Sequence, residues 1–379
     1  MTAPAPVDVV FAFLGDVTSS SRALRQIRAL TEAGARVIAM GDRPPRSPEA
    51  LPSGVEVRAV EVPFGRGPAY FWAADRAFRE ALQGVRARVV HASDLHILPA
   101  AAQAAHQSSA RLVYDAREFY PGLDAAGRPW VRWAWGAVER RHIARADVVL
   151  TVNGAIAEAL QARYGIRRPV VVRNVSDAPA EGLAPTGELR AQIGAAPDER
   201  LVLYQGLFRE GRGLLPLADA MTEVDATLVC IGEGPLEAIL RERIVSQRLR
   251  LLPFTPPDLL RRLTPDAHLG AIVARPLTES LRMGLPNKLF EYAAAGLPTL
   301  TGSGIEPLAA LVRRYDAGLA VDPDDRSALV TALRTLLFDT EAGARARSGA
   351  RRLHAEHTWA RERDAFLSAY APLLDAVHA

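Results

Sequence analysis

A single cysteine, Cys230, stands in 379 residues. That excludes an intrachain disulfide and a cysteine-based structural zinc site, and nothing argues for an oxidising compartment. Lysine is equally scarce: of 46 basic residues only Lys288 is not arginine. Guanidinium groups hold their charge to high pH, yet the net charge of +3 is too small and too dispersed to imply nucleic acid. A coding bias toward Arg and Ala accounts for the background. A lone ammonium is not interchangeable with a guanidinium, so position 288 is singled out for its chemistry. No stretch approaches the roughly 18 to 20 uncharged apolar residues that a spanning helix needs. The first apolar run has no Lys or Arg before it and ends at Gly15-Asp16, so the expectation is no signal peptide and a cytoplasmic chain, with peripheral membrane contact left open.

What is present is a globular composition, 49% hydrophobic and 23% charged, with 28 Gly and 27 Pro scattered along the chain. Collagenous, coiled-coil and wholly disordered classes are excluded, and the length suits two large domains at roughly 100 to 200 residues each. Short runs rich in Val, Ile and Leu alternate with longer amphipathic stretches, the pattern of βα units on parallel sheets. Strands are predicted at Val7–Leu14, Arg36–Met40, Val55–Val62, Arg88–Ala92, Arg111–Asp115, Asp147–Val152 and Val170–Arg173. After a Pro- and Gly-rich linker over 174–197 they resume at Leu201–Gln205, Ala226–Ile231, Arg250–Phe254, Leu269–Val273, Thr299–Thr301 and Leu319–Val321. Residues 326–337 and 341–377 read as helical. The predicted organisation is two Rossmann-like doubly wound α/β domains facing a cleft, over 1–175 and 176–355, with a helix over 356–379 crossing back to the first.

In open parallel sheets ligands lie beyond the carboxyl ends of the strands. The strongest segment there is Ser280-Leu-Arg-Met-Gly-Leu-Pro-Asn-Lys-Leu-Phe-Glu-Tyr-Ala-Ala-Ala-Gly-Leu-Pro298. Pro286 suits a first helical position, and Gly296 with Pro298 ends the helix. Free backbone N–H groups around Gly284, Leu285, Pro286, Asn287 and Lys288 suit an anion such as a diphosphate, with Lys288 as a point charge. Glu291, three residues on, lies on the same face, where a carboxylate accepts two hydrogen bonds from a vicinal diol such as ribose. A capped surface helix with a Lys-Glu pair explains the spacing equally well.

This segment resembles the nucleotide-sugar site of retaining glycosyltransferases of the two-Rossmann-domain (GT-B) type, family 4, especially those with LPNKLFEY followed by AxGxP. Further stretches match in order: YDAREFYP at 114–121, ARADVVLTVN at 144–153, VVVRN at 170–174, LYQGLFREGRG at 203–213, IGEGP at 231–235 and GLAVDP at 318–323. The resemblance implies that a nucleotide diphosphate-sugar binds mostly to the second domain and a small-molecule, glycan or lipid-linked acceptor to the first. It places Glu291 on the ribose, and Arg212 with Lys288 on the diphosphate, as the catalytic set. Arg209 is a candidate for a further phosphate ligand, though a solvated loop arginine explains it better; by the same likeness Gly206 and Gly232 admit the donor to the backbone, and Phe254 with Thr255 lies by the base.

Two positions depart from the family. Met283 stands where many members carry a glutamate for the donor sugar, which shifts sugar recognition to the backbone of Gly284 and Leu285. In YDAREFYP, Arg117 replaces the usual histidine before Glu118, putting a permanent cation where an imidazole would exchange protons. Asp16 and Ser19 after the first strand, and Asp94 and His96 after the fourth, complete the acceptor-side candidates; N-capping explains Ser19 to Ser21 as well.

The implied mechanism is front-side displacement without a metal or other cofactor. Asp322-Pro-Asp324-Asp325 contains a DxD, but Asp324 or Asp325 reads better as a helix cap. The segment Arg128-Pro-Trp130-Val-Arg132-Trp133-Ala-Trp135 reads as core packing before membrane contact. The rival readings are a nucleotide-sugar 2-epimerase, a phosphorylase with pyridoxal phosphate on Lys288, and a catalytically silent nucleotide-sugar binder. A tandem-Rossmann dehydrogenase is weaker still, because no strand runs into GxGxxG.

Overall fold

The computed structural model describes residues 7–63, 68–123, 129–243 and 248–375. The chain divides into two units, one of residues 1–174 with 360–379 and the other of residues 175–359. The segment 175–197 thus belongs to the second unit, and the C-terminal helix to the first.

The first unit holds a seven-stranded parallel sheet of β1 (Val7–Phe13), β2 (Val37–Gly41), β3 (Glu56–Ala59), β4 (Ala87–Ser93), β5 (Arg111–Ala116), β6 (Val148–Thr151) and β7 (Val170–Val171). Its order is β3-β2-β1-β4-β5-β6-β7, so the direction of winding reverses between β1 and β4. The second unit holds a six-stranded parallel sheet of β8 (Leu201–Gln205), β9 (Thr227–Ile231), β10 (Leu249–Leu252), β11 (Leu269–Ile272), β12 (Thr299–Gly302) and β13 (Gly318–Val321), in the order β10-β9-β8-β11-β12-β13. Strands β1, β8 and β9 are buried almost throughout, as sheets covered by helices on both faces require. Every strand predicted from apolar runs is present.

The first unit carries an ion pair inside it. Asp115, at the end of β5 and fully buried, accepts from Arg22 Nε and NH2, both at 2.8 Å, and from Gln26 Nε2 at 2.9 Å. Burial pushes this carboxyl up, but Arg22 and Gln26 overcome that and hold it at about 2. His91, at the middle of the sheet, shares a 2.5 Å hydrogen bond with Tyr370 and stacks on Phe11. Tyr370 belongs to the C-terminal helix Trp359–Asp375, which is tied again by Glu362 to the backbone N–H of Arg173 at 2.7 Å.

Two expectations are corrected. The helical stretch over 341–377 is two helices, Thr340–Glu356 and Trp359–Asp375, broken at His357, whose φ of −118° and ψ of 69° leave the helical region. The tryptophans of 130–135 are not all core. Trp130 and Trp133 are 58% and 76% exposed, because the helix Pro129–Ile143 turns that face outward, and Trp135 alone of the three packs against other rings, those of Phe71 and His96. Arg128 lies outside the described residues. The helix cap expected in the DxD is present: Asp325 accepts from Ala328 N–H at 2.9 Å, and Asp324 pairs with Arg275.

Removing one member of a buried pair strands the other's charge, at a cost of about 3–5 kcal/mol. Arg22→Met is therefore expected to lower the urea midpoint of the first unit's unfolding transition far more than Arg22→Met with Asp115→Leu. Burial holds the folded His91 near 4, below its ordinary 6.5. The unfolded chain takes up that proton first, so this unit loses stability as pH falls from 6.5 toward 4.

Candidate active site

In the second unit the sequence candidates gather at the carboxyl ends of the strands. Strand β8 runs into Gln205-Gly206, β9 into Gly232, and β10 into the loop bearing Phe254 and Thr255. After β11 the chain makes one helical turn, Glu279–Arg282, passes through Met283 to Asn287 and enters the helix Lys288–Ala294. Pro286 precedes this helix rather than occupying its first position, and Asn287 caps it without a side-chain bond. The amides of Leu285, Asn287 and Lys288 are left without a protein acceptor among the described residues. Buried Leu289, Phe290 and Tyr292 hold the helix to the sheet, and the Tyr292 hydroxyl donates to the Leu203 carbonyl at 3.1 Å.

Lys288 does not lie out in solvent as a helix-end lysine ordinarily would. Its stem folds back under the site, and Nζ sits 4.4 Å from the centre of the Tyr204 ring, a cation–π contact. The path passes Gly206: a Cβ there would lie 2.7 Å from Nζ, and the residue has φ of +124°. Gly206 thus makes room for the ammonium, a role the sequence reading assigned to the donor. Gly232 is needed for a similar reason, since its Cβ would fall 2.0 Å from the Gly206 carbonyl oxygen.

Burial, then the neighbouring Arg212 guanidinium, pushes Lys288 down to about 8, while Glu291 works in the opposite direction. Arg212 is half-buried and, like exposed Arg209, forms no ion pair with the described residues. Glu291 accepts from Gln205 Nε2, and Thr264 donates to Gln205 Oε1 at 3.3 Å. Gln205 therefore aims the carboxylate, and the sequence reading missed it. The signal was there, a polar side chain closing the apolar run LVLY where a strand meets its ligand loop. Phe254 is 63% exposed, and Thr255 turns its hydroxyl to the Pro253 carbonyl at 3.1 Å. Met283 ends the single helical turn, and Gly284 N–H is spent on the Leu281 carbonyl at 3.0 Å.

In the first unit Asp94 adopts φ of +87°, a left-handed conformation that few non-glycine residues take. It receives Arg117 through both Nε and NH2, together with the Tyr120 hydroxyl. Burial opposes the charge on Arg117, and Asp94 more than restores it. The permanent cation expected here is thus paired, with Phe13 beneath it at 5.0 Å. His96 is enclosed by Phe71, Trp135 and Tyr120, and burial lowers its pKa. Glu118 is exposed. Asp16 is buried and occupied, accepting from Thr18 N–H and hydroxyl at 2.8 and 2.6 Å and from Arg46 N–H at 3.1 Å. Ser19 donates to the Asp16 carbonyl, and Ser20 caps the helix Ser21–Glu32. Asp16 and Ser19 therefore shape their loop.

Residues 18–174 match the model of the glycosyl transferase 4-like domain, and residues 199–339 that of glycosyl transferases group 1. The chain is a GT-B glycosyltransferase. Among solved structures, sucrose-phosphate synthase from Thermosynechococcus elongatus superposes on this glycosyltransferase with a TM-score of 0.78 at 18% identity, over 97% of this chain and all of that one. HepE from Anabaena in complex with UDP gives 0.71 at 16%, over 96% and 100%. WaaG, involved in lipopolysaccharide biosynthesis, gives 0.68 at 16%, over 96% and 98%. At these identities the likeness is one of fold. One curated protein, the dual-specificity RNA methyltransferase RlmN of Bartonella quintana, is 25% identical over 192 residues. That stretch is 48% of this chain, which spans only 44% of the relative's length. So partial a match carries no activity over.

A single lysine makes one ammonium separately measurable. After reductive ¹³C-methylation, the Lys288 resonance is expected to titrate near 8, higher in Arg212→Ala and lower in Glu291→Gln. A titration at the ordinary 10.5 would remove the burial described here.

Proposed function

We propose that this glycosyltransferase moves a sugar from a nucleotide diphosphate-sugar to a hydroxyl acceptor with retention of configuration and without a metal. The observation that carries the reading is the pairing of Lys288 with Arg212 beside Glu291, at the carboxyl ends of one parallel sheet. Two cations with a single carboxylate near them suit a diphosphate, and that carboxylate, oriented by Gln205, suits a vicinal diol. HepE, of the same fold, is seen with UDP and with UDP-glucose, so uridine donors are the first to test.

In this reaction the acceptor oxygen forms its bond to the anomeric carbon as the carbon–phosphate-oxygen bond breaks on the same face. The acceptor proton passes to the departing diphosphate. The protein's task is to stabilise negative charge growing on that leaving group, which Lys288, Arg212 and the unpaired amides of Leu285, Asn287 and Lys288 are arranged to do. The short helix Lys288–Ala294 contributes a weak dipole, so side-chain charge dominates. With Met283 in place of a carboxylate, the donor sugar is met by the backbone around Gly284 and Leu285.

The acceptor is assigned to the first unit near His96 and Glu118. No helix among the described residues is long and apolar enough to cross a membrane. The exposed Trp130 and Trp133 keep lipid-linked acceptors in the search, and flotation with liposomes decides that point. A silent nucleotide-sugar binder is the second reading, favoured by Asp94 being fully engaged with Arg117 and Tyr120; turnover with any acceptor dismisses it.

A thermal-shift screen against UDP, GDP, dTDP and ADP and their sugars is expected to show one selective series, abolished in Glu291→Ala. Lys288→Ala and Arg212→Ala are each expected to lower turnover about 100-fold or more, a loss of about 2.7 kcal/mol of transition-state stabilisation, with activity unaffected by EDTA. Diphosphate binds the protonated lysine, so affinity is expected to fall as pH rises above about 8, by at most tenfold per pH unit. Lys288→Arg should flatten that dependence. Near-wild-type rates in either alanine variant would take that residue out of the site.

A further inference from the structure

At the amino ends of the second unit's strands, where β8, β11 and β12 begin, lies a cleft of about 970 Å³. Arg190, Arg200, Arg347, Arg351, His268 and His354 line it. The nucleotide-sugar reading uses none of them.

The arginines of this cleft outnumber its carboxylates and form no ion pair with them. Arginines elsewhere on the chain are commonly paired with carboxylates, as Arg262 is with Glu188 and Arg313 with Glu306. Arg200, Arg347 and Arg351 have no ion pair with any described residue. Two carboxylates line the cleft, Glu181 and Asp266. Asp266 is buried and already accepts the backbone N–H groups of Thr186, Gly187 and Leu189 at 2.7 to 2.8 Å, capping the helix Glu188–Ile193. Burial, followed by Arg200, Arg190 and Arg347 in that order, holds His268 down near 4, which places three of the guanidiniums around one ring.

The cleft is also built. Arg190 NH2 is held by the carbonyls of Ala196, Pro197 and Glu199 at 2.6, 2.7 and 3.0 Å, contacts that fix its position and leave its charge in place. His268 Nδ1 accepts from Leu201 N–H at 3.1 Å, which fixes that ring. His354, 3% exposed, donates from Nε2 to the Pro179 carbonyl at 2.7 Å, and its buried Nδ1 has no partner among the described residues. Small residues, Ala293 to Gly296, form part of the floor, and Leu183 N–H covers the Ala294 carbonyl at 2.7 Å, removing one helix-end oxygen that would repel an anion.

We propose that this cleft is a second ligand site of the protein, taking a phosphate-bearing small molecule by its phosphate or diphosphate group. Arg347 and Arg351, four residues apart on the helix Thr340–Glu356, present two guanidiniums from one face, with Arg200 opposite as a third donor fork.

Titration calorimetry of the full chain with inorganic pyrophosphate, at fixed ionic strength near 0.15 M, tests this. Wild type is expected to bind two equivalents. Arg347→Gln with Arg351→Gln should weaken one at least tenfold and leave the other, and Arg212→Ala with Lys288→Ala should do the reverse. Arg200→Gln, on the exposed rim, is a milder variant that should weaken the same equivalent as the first pair. Inorganic phosphate should compete for the cleft in the Arg212→Ala/Lys288→Ala protein. A single equivalent lost with Arg212 and Lys288 and untouched by Arg347 and Arg351 would overturn the second site while leaving the donor site standing. Two equivalents that both survive the Arg347/Arg351 change would overturn it as well.

Discussion

Keeping an ammonium and a guanidinium close together in a half-desolvated loop cluster costs electrostatic free energy, and the second unit is organised to meet that cost. Lys288 lies over the Tyr204 ring, passes a residue with no Cβ at Gly206, and has Glu291 as its counter-charge. Tyr292 and its buried neighbours fasten the same short helix to the sheet, which fixes the backbone from which the lysine extends. A site strained by like charges is one that an anion relieves, and this is why the arrangement points to a diphosphate rather than to a neutral ligand.

The first unit solves a different problem with the same means. Its buried charges are paired rather than left open: Asp115 with Arg22 and Gln26, Arg117 with Asp94. The left-handed backbone at Asp94 aims the carboxylate at Arg117 and Tyr120 together, and it sits on the loop where an acceptor is expected. Backbone strain of this kind persists only where surroundings over-determine it. Around it His96 lies among aromatic rings, and burial lowers its pKa below the ordinary value.

Much of this was legible in order along the chain. Thirteen apolar runs marked the strands, because a parallel sheet covered on both faces needs continuous rather than alternating hydrophobicity. Helix caps at Ser20 and Asp325 followed from residue type. Misreadings fell where a side chain's partner is distant in sequence. Arg117 read as a permanent cation open to an anion, because Asp94, 23 residues away, is invisible as its partner; the carboxylate of Asp16, an acceptor-side candidate, is engaged by the N–H of Arg46, 30 residues on, as well as by neighbouring Thr18. The tryptophans of 130–135 read as core because helical spacing reports a stripe and not which way the stripe faces.

By itself the sequence determined the two parallel-sheet α/β domains and singled out the segment around Lys288 as the candidate site. Apolar periodicity, turn residues and a motif are local quantities, carried by neighbours along the chain. Only the tertiary structure decided that Lys288 lies over Tyr204 within the field of Arg212, that Gln205 aims Glu291, and that four arginines from three separate stretches meet at the amino ends of the strands. Electrostatic free energy depends on distance in space and on exclusion of water, and both are settled when the strands have taken their places.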